Sequence, residues 1–474
     1  MPTASSNRRA GQKVPSSHHE ACFLRRFLNR FSGESVAART LRGSLWTALA
    51  FGGENLLRLV SNLVLTRLLF PEAFGLMAIA QVFLTAMQML SDAGLRPAVI
   101  KDSRGDDPAF LNTAWTVQIL RANLLWLLVF LLASPAAAIY GEPILAQLLP
   151  WMGFTIILQG LTPTAVWTAE RHLHLGRLTI IQLGVAAFHI VVACLLAWQM
   201  QSVWALVFAA LVSSACKQAA YWKFVPNASN RLFWEREALQ SLFHFGKFVF
   251  VSSIAGFLVG QGDRALLGLY TSMAELGVYN IGYFMAMAPS LLAVAVQKSV
   301  IFPLYRLKPI STDPDSREKV FRARRLLATT MIVFSLTLSA TGPWLVRFLY
   351  DDRYVSAGPM MALFGLTIVP LLTLRTTGQM LLAMGDSKRF LNTVLVAAIF
   401  QTFLLFVGVR ELGVVGAILA PGVACVISYP LHMQYAKIYK GWDPVHDVGL
   451  TILGMLGALG ICIWHAETIS TLFP

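Results

Sequence analysis

What leaves this chain least freedom is a succession of long apolar runs that do not alternate. They lie near 43–69, 74–100, 111–137, 144–168, 178–199, 203–222, 245–269, 275–301, 327–349, 356–382, 390–409 and 412–436, with a further candidate at 447–466. A hydrocarbon layer about 30 Å thick is crossed by roughly 20 helical residues. No water reaches the backbone there, so only helices and closed barrels span it. Barrel strands are about 10 residues long and alternate in polarity, and these runs do neither. Only 13% of the 474 residues are charged and the mean hydropathy is +0.62, against about 25% charged in soluble chains. The sequence predicts an all-α polytopic membrane protein of twelve core helices, with 447–466 as a candidate thirteenth.

Basic residues set the expected orientation. With the N-terminus in the cytoplasm, the inside segments hold 28 of the 38 lysines and arginines, and the outside loops hold only Arg353 and Arg410. The pI near 9.8 then reflects membrane orientation, and no nucleic-acid partner is expected. The expected location is a bacterial inner membrane, crossed many times, with membrane lipid as the surroundings. The first 20 residues are polar and lack the apolar core of a cleavable signal. Segment 21–33 reads either as an interfacial amphipathic helix or as a disordered basic tail. Cys22, Cys194, Cys216, Cys425 and Cys462 show no disulfide or metal spacing and read as packing residues.

The outer loops are short, so no external domain is expected. The sequence divides into a cytoplasmic tail (1–42), a six-helix bundle (43–222), a cytoplasmic linker (223–241), a second six-helix bundle (242–437) and a loop with the candidate extra helix (438–474). The bundles look like a repeat. Phe74-Gly75-Leu76 corresponds to Leu276-Gly277-Val278, and the Gly176 turn after the fourth span to the Gly385 turn after the tenth. Six spans per unit is an even number, so both insert the same way round. Such parallel repeats place a substrate site between them near the midplane.

Several segments carry a family resemblance: Leu68-Leu69-Phe70-Pro71-Glu72-Ala73-Phe74-Gly75, Asp92-Ala93-Gly94-Leu95, Gln261-Gly262-Asp263-Arg264, Leu276-Gly277-Val278-Tyr279 and Ile139-Tyr140-Gly141-Glu142-Pro143. Their order and spacing over about 40–440 resemble the polysaccharide/oligosaccharide flippase family. Its superfamily also holds multidrug-and-toxin extruders and lipid II flippases. The resemblance implies a V-shaped pair of bundles around a central cavity, working by alternating access. The long polar N-terminus and the thirteenth run depart from that pattern.

Charged side chains at the bilayer centre cost about 2.5–3.5 kcal/mol each, so those within spans must pair, snorkel or face water. They are Glu54, Arg58, Arg67, Asp92, Arg96, Arg121, Lys247, Asp263, Arg264 and Arg375, seven cations and three anions. Glu54, Arg58 and Asn62 share one helix face, as do Gln81, Gln88, Asp92 and Arg96. Spans 4 and 10 carry matching polar stretches, Gln159 to Thr168 and Thr373 to Gln379. Polar faces from both halves suit a shared wet cavity, and the cationic excess suits an anion. Arginine offers a planar fork to phosphate oxygens. The candidate substrate residues are Arg58, Arg96, Arg121, Arg264 and Arg375. Arg121 and Arg375 stand out because neither has an acid nearby on its own helix. The bland readings are i, i+4 ion pairs for Glu54–Arg58 and Asp92–Arg96, packing for Asp263–Arg264, and snorkelling for Arg67, Lys247 and Arg347. Glu54, Asp92 and Asp263 are the acids available for coupling to H⁺ or Na⁺. No other cofactor is expected. Pro289 suggests a kink; the glycines at 256, 260 and 262 suit either weak points or close packing.

The expected function is a flippase moving a polyprenyl-diphosphate-linked oligosaccharide from the cytoplasmic to the outer leaflet, for exopolysaccharide, capsule or O-antigen assembly. A polymerase and export proteins would be its further partners. A multidrug antiporter would want an acidic or aromatic pocket, and a lipid II flippase fits the same lumen. A membrane polymerase or glycosyltransferase needs a sizeable outer loop, where this chain has only Asp351-Asp352-Arg353 in a short turn. No G-x-x-x-x-G-K-[ST] phosphate loop is present. A scaffold would make the intramembrane charges expendable.

Overall fold

Where backbone groups find no water they must bond within their own segment, and every regular element among the described residues is helical. The computed structural model describes residues 36–90, 95–307 and 310–473, excepting the side chains of 36–45, 47, 48, 90 and 241–251. Segment 21–33, Cys22, Asp92 and the Lys247 side chain therefore lie outside the described residues. The first half holds α1 (Val36–Leu68), α2 (Pro71–Leu90), α3 (Leu95–Lys101), α4 (Pro108–Tyr140), α5 (Leu145–Gly160), α6 (Ala165–Arg171), α7 (Leu175–Met200) and α8 (Val203–Phe224). The second holds α9 (Arg236–Tyr270), α10 (Met273–Ala286), α11 (Ala288–Val296), a π-helical turn (Gln297–Ile301) and α12 (Phe302–Leu307). It continues with α13 (Pro314–Leu349), α14 (Ala357–Leu374), α15 (Thr377–Ala383) and α16 (Ser387–Ile438), which turns at Gly413 with φ 56°. A π-turn (Val445–Gly449), α17 (Leu450–Trp464) and α18 (Ala466–Ser470) close the chain.

Among the described residues every apolar run is built of helix, and three spans are broken: the fourth of the first half and the second and fourth of the second half. Span 2 is described as α2 and α3 on either side of residues 91–94, and span 4 divides into α5 and α6, bent by 62°. Span 8 divides at Met287, just before the Pro289 that forecast a kink, and span 10 at Arg375-Thr376. In span 4 the cause is local, because Pro163 has no N–H to give and disfavours helix before it.

The halves meet through a reciprocal glycine contact. A β-carbon on Gly75 would lie 1.9 Å from the Met273 carbonyl oxygen, and one on Gly277 would lie 2.0 Å from that of Pro71. The two contacts exchange partners at the same sequence offset, as an axis relating the halves requires. Only glycine permits backbones this close. Around it, Tyr140 Oη donates to the Ala265 carbonyl at 3.0 Å and Arg353 Nη2 to that of Thr66 at 3.1 Å. Tyr354 Oη reaches the Leu69 carbonyl at 3.3 Å, and the Arg353 guanidinium lies 4.9 Å from the Phe70 ring.

The apolar core divides accordingly. At this sealed end one buried cluster draws residues from both halves, from Leu65 and Phe74 to Tyr354 and Val415. At the opposite end there are two clusters, one from residues 95–238 and one from residues 301–436. Merged cores at one end and separate cores at the other make a V.

The segment joining the halves is fastened to the first. Backbone N–H groups of Arg231, Phe233 and Glu235 donate to the side chains of Asn112, Thr116 and Thr113 at 3.0, 3.0 and 3.2 Å. Arg104 adds hydrogen bonds to Glu235 at 2.8 and 2.9 Å. Helix α17 packs on α13 and α14, where Gly454 would place a β-carbon 2.7 Å from Val369.

Candidate functional site

The opening of the V exposes a polar cavity of about 650 Å³ on the inner wall of the first half, lined by α1, α2, α5, α7 and α8. Helix α1 contributes Glu54, Arg58 and Asn62, the i, i+4, i+8 face that spacing predicted. Helix α2 contributes Gln81 and Gln88, α5 Gln159, α7 Gln182 and His189, and α8 Ser213, Ser214 and Lys217. Leu65, Phe74 and Met152 line it as well, and all three belong to the core cluster shared by the halves. Four glutamines and an asparagine give it both donors and acceptors. Gln88 Nε2 donates to Gln159 Oε1 at 3.3 Å, and His189 Nδ1 lies 3.0 Å from Ser213 Oγ.

Glu54 and Arg58 are both exposed on this cavity. No ion pair joins them, so the i, i+4 alternative is not realised here. Instead the Arg58 guanidinium reaches across to the other half, 5.9 Å from the Phe284 ring of α10. Lys217 is the residue that sequence reasoning misplaced. Left out of the charges expected within spans, it sits in α8 on the cavity wall. A signal was present, since Ser213 and Lys217 are spaced i, i+4 and extend a polar face into the sixth span. His189 and Gln182 were also missed: spaced i, i+7 on α7 they share one face, but a helix's own periodicity does not show what that face meets.

The other candidates take different places. Arg121 lines a side pocket of about 150 Å³ that shares Gln88 and Gln159 with the main cavity, and its Nη2 donates to the Gln88 carbonyl at 3.0 Å. Arg96 does not line the main cavity. It lies on α3 and makes a two-pronged ion pair with Glu170 of α6 at 2.6 and 2.7 Å. That pair fastens α3 to α6.

Asp263 and Arg264 are buried in the second half. Asp263 Oδ2 accepts from Tyr279 Oη at 2.6 Å, while Oδ1 has no hydrogen-bond partner and lies 3.9 Å from Arg264 Nη1. Arg264 Nε donates to Asn280 at 3.1 Å and its guanidinium lies 4.1 Å from the Tyr283 ring. The two neighbours thus have separate partners on α10 and also approach each other. Arg375 stands at the break in span 10, donating at 3.2 Å to Gln401, whose amide donates at 2.9 Å to the Val259 carbonyl. It ties α14, α16 and α9 together. The second half contributes charges to its own interior, and the open cavity belongs to the first. No group of three or more His, Cys, Asp or Glu with metal-ligand geometry occurs among the described residues.

Comparison with known proteins agrees with this architecture. The family described as "Polysaccharide biosynthesis protein" matches over residues 64–359. The succinoglycan biosynthesis transport protein ExoT of Rhizobium meliloti (strain 1021) is 24% identical over 338 residues, 70% of this chain and 67% of that protein. The lipopolysaccharide biosynthesis protein WzxC of Escherichia coli (strain K12) is 22% identical over 450 residues, covering 90% of this chain and 89% of that one. Among solved structures, the lipid II flippase MurJ in its inward closed conformation superposes with a TM-score of 0.65 at 14% identity, over 90% of this chain and 99% of that one. A point mutant of the Vibrio cholerae MATE transporter VcmN gives 0.60 at 12% identity, over 87% and 98%. At these identities the structural neighbours establish the fold.

Proposed function

The chain belongs to the polysaccharide biosynthesis protein family, and from that premise we propose that it is a flippase for a polyprenyl-diphosphate-linked oligosaccharide. The observation that carries the reading is the cavity of about 650 Å³, open between the halves and sealed at one end. Its walls hold two cations, Arg58 and Lys217, against one acid, Glu54, amid glutamine and serine side chains. Charge-assisted hydrogen bonds from cations are the strong ones for phosphate oxygens. Amides and hydroxyls serve sugar hydroxyls in both senses. A polar headgroup in such a cavity keeps hydrogen bonds that hydrocarbon would strip away, while the gap between the halves leaves the tail in lipid. The excess of Lys and Arg on the expected cytoplasmic side supports an open end that faces the cytoplasm, which makes the conformation inward-facing. Cargo moves when the glycine seam parts and the opposite ends close.

The geometry redirects the mutational test toward Arg58 and Lys217. Cells or inverted vesicles carrying Arg58→Ala and Lys217→Ala together, at matched protein level, should accumulate the lipid-linked oligosaccharide on the cytoplasmic face. Export at the wild-type rate from a stable double variant would refute the diphosphate site.

A further inference from the structure

Away from the cavity, at the open end of the second half, lies a closed cluster of charges that transport as described above does not use. It joins α13, the break in span 10 and the π-turn that leads into α17. Arg324, Asp443, His446 and Asp447 are each no more than 3% exposed. Arg324 Nη1 donates to the Gly441 carbonyl at 2.9 Å, and its Nη2 to Thr376 at 2.8 Å and to Asp447 Oδ1 at 3.1 Å. Arg325 grips Asp443 with two hydrogen bonds of 2.8 Å. Tyr429 of α16 donates to Asp447 Oδ2 at 3.3 Å. Two arginines face two aspartates, so the cluster is balanced with the imidazole neutral.

His446 Nδ1 lies 2.7 Å from Asp447 Oδ1. A carboxylate only accepts, so Nδ1 carries the hydrogen and Nε2 presents a lone pair. That Nε2 is buried without a partner, and so is Arg324 Nε. Both residues line one void of about 10 Å³, room for about a single water. A water held there would accept from Arg324 Nε–H and donate to His446 Nε2, satisfying two groups that each cost about 1–3 kcal/mol if left bare. Gln297 and Ile301 of the span 8 π-turn, and Thr376 of the span 10 break, line the same void.

We infer that His446, facing this water, is a proton-binding site through which pH or a proton gradient acts on the broken spans of the second half. The inference rests on the transport reading for its consequence, though not for the proton binding itself. A proton arriving as hydronium passes to the Nε2 lone pair and leaves the water in place; release reverses the step. Arg325, whose side chain is 32% exposed while Asp443 is fully buried, is the edge of the cluster nearest solvent. Once charged, the imidazolium stands 3.4 Å from Arg324 Nη2; Asp447 lies against both, and Asp443, which accepts from the His446 backbone N–H at 3.4 Å, is already held by Arg325. Tyr305 of α12 and His432 of α16 supply no compensating anion. The closed arrangement and the charged imidazole therefore oppose each other. Relief comes from parting the π-turn from α13, which also releases the Arg324–Thr376 bond at the span 10 break.

The test uses full-length protein in nanodiscs without substrate. Hydrogen exchange of 437–449, corrected for intrinsic rates, is followed from pH 7.5 to 5.5, with His446→Gln in parallel and flipping rates measured over the same range. One coupled proton changes an opening equilibrium by up to about tenfold per pH unit. Exchange should rise as pH falls in the wild type and stay level in the variant, and flipping should lose its pH dependence in the variant. Level exchange in the wild type overturns the proposal even if the variant fails to fold, and so does a pH dependence that survives His446→Gln. Absence of flipping at every pH, with the exchange response present, refutes the transport reading and leaves the proton site standing.

Discussion

The glycine seam offers the sharpest test of the V. In Gly75→Ala the new β-carbon would sit 1.9 Å from the Met273 carbonyl oxygen, where ordinary contact begins near 3.4 Å. About 1.5 Å of separation is needed, and the obstacle is backbone, which no rotamer change can move aside. Overpacking of this kind costs about 1–3 kcal/mol, which falls on the sealed state alone because the contact exists only there. Each 1.4 kcal/mol is about tenfold in population, so the substitution should favour the unsealed arrangement by about 5- to 150-fold. The contact is reciprocal, which sharpens the prediction. Helices already moved apart for Gly75→Ala have room for Gly277→Ala, so the double variant should cost clearly less than the sum. The assay is labelling of a single cysteine at position 65, in a background lacking the native cysteines, by an impermeant maleimide confined to the sealed side of the membrane, since Leu65 also borders the open cavity. Labelling should rise in each single variant and little further in the double. Unchanged labelling in stable single variants, or strict additivity, would refute the seam as the seal.

Two further expectations follow from ion pairs at the open end. Arg96→Ala removes a well-formed pair with Glu170, but the Arg96 side chain is 61% exposed and exposed pairs contribute about 0.2–1 kcal/mol. Denaturation midpoint and flipping rate should both stay near wild type, and a loss matching that of the Arg58 and Lys217 variants would return Arg96 to the transport path. Hydrogen bonds from Arg104 first, and from the Ala109 N–H, hold the Asp107 carboxyl below the usual carboxylate range. A carboxylate held low stabilises the folded state above its ordinary value, about 3.9, and the benefit is lost as pH falls through the depressed one. Exchange of the 228–236 strap should therefore be level from pH 8 to 5 and rise in Arg104→Ala; a rise between pH 7 and 5 in the wild type would contradict this.

Much of this was legible before any fold was known. Run length and solvent chemistry dictated helices, because a backbone in hydrocarbon has no other partner. Pairing Gly75 with Gly277 needed only the offset between two short loops. The α1 face of Glu54, Arg58 and Asn62 needed only helical periodicity, a property of one helix. Tertiary structure decided what that face looks at. Periodicity orders residues around their own axis and carries no information about the neighbour, so Gln182, His189 and Lys217 joined the cavity unforeseen. Arg96 left the expected lumen because Glu170 of α6, distant in sequence, takes it in an ion pair, and Arg375 because the break in span 10 resets the register that spacing assumes to be continuous. Asp443, His446 and Asp447 lie more than a hundred residues from Arg324, and only packing of α17 against α13 and α14 made one buried cluster of them.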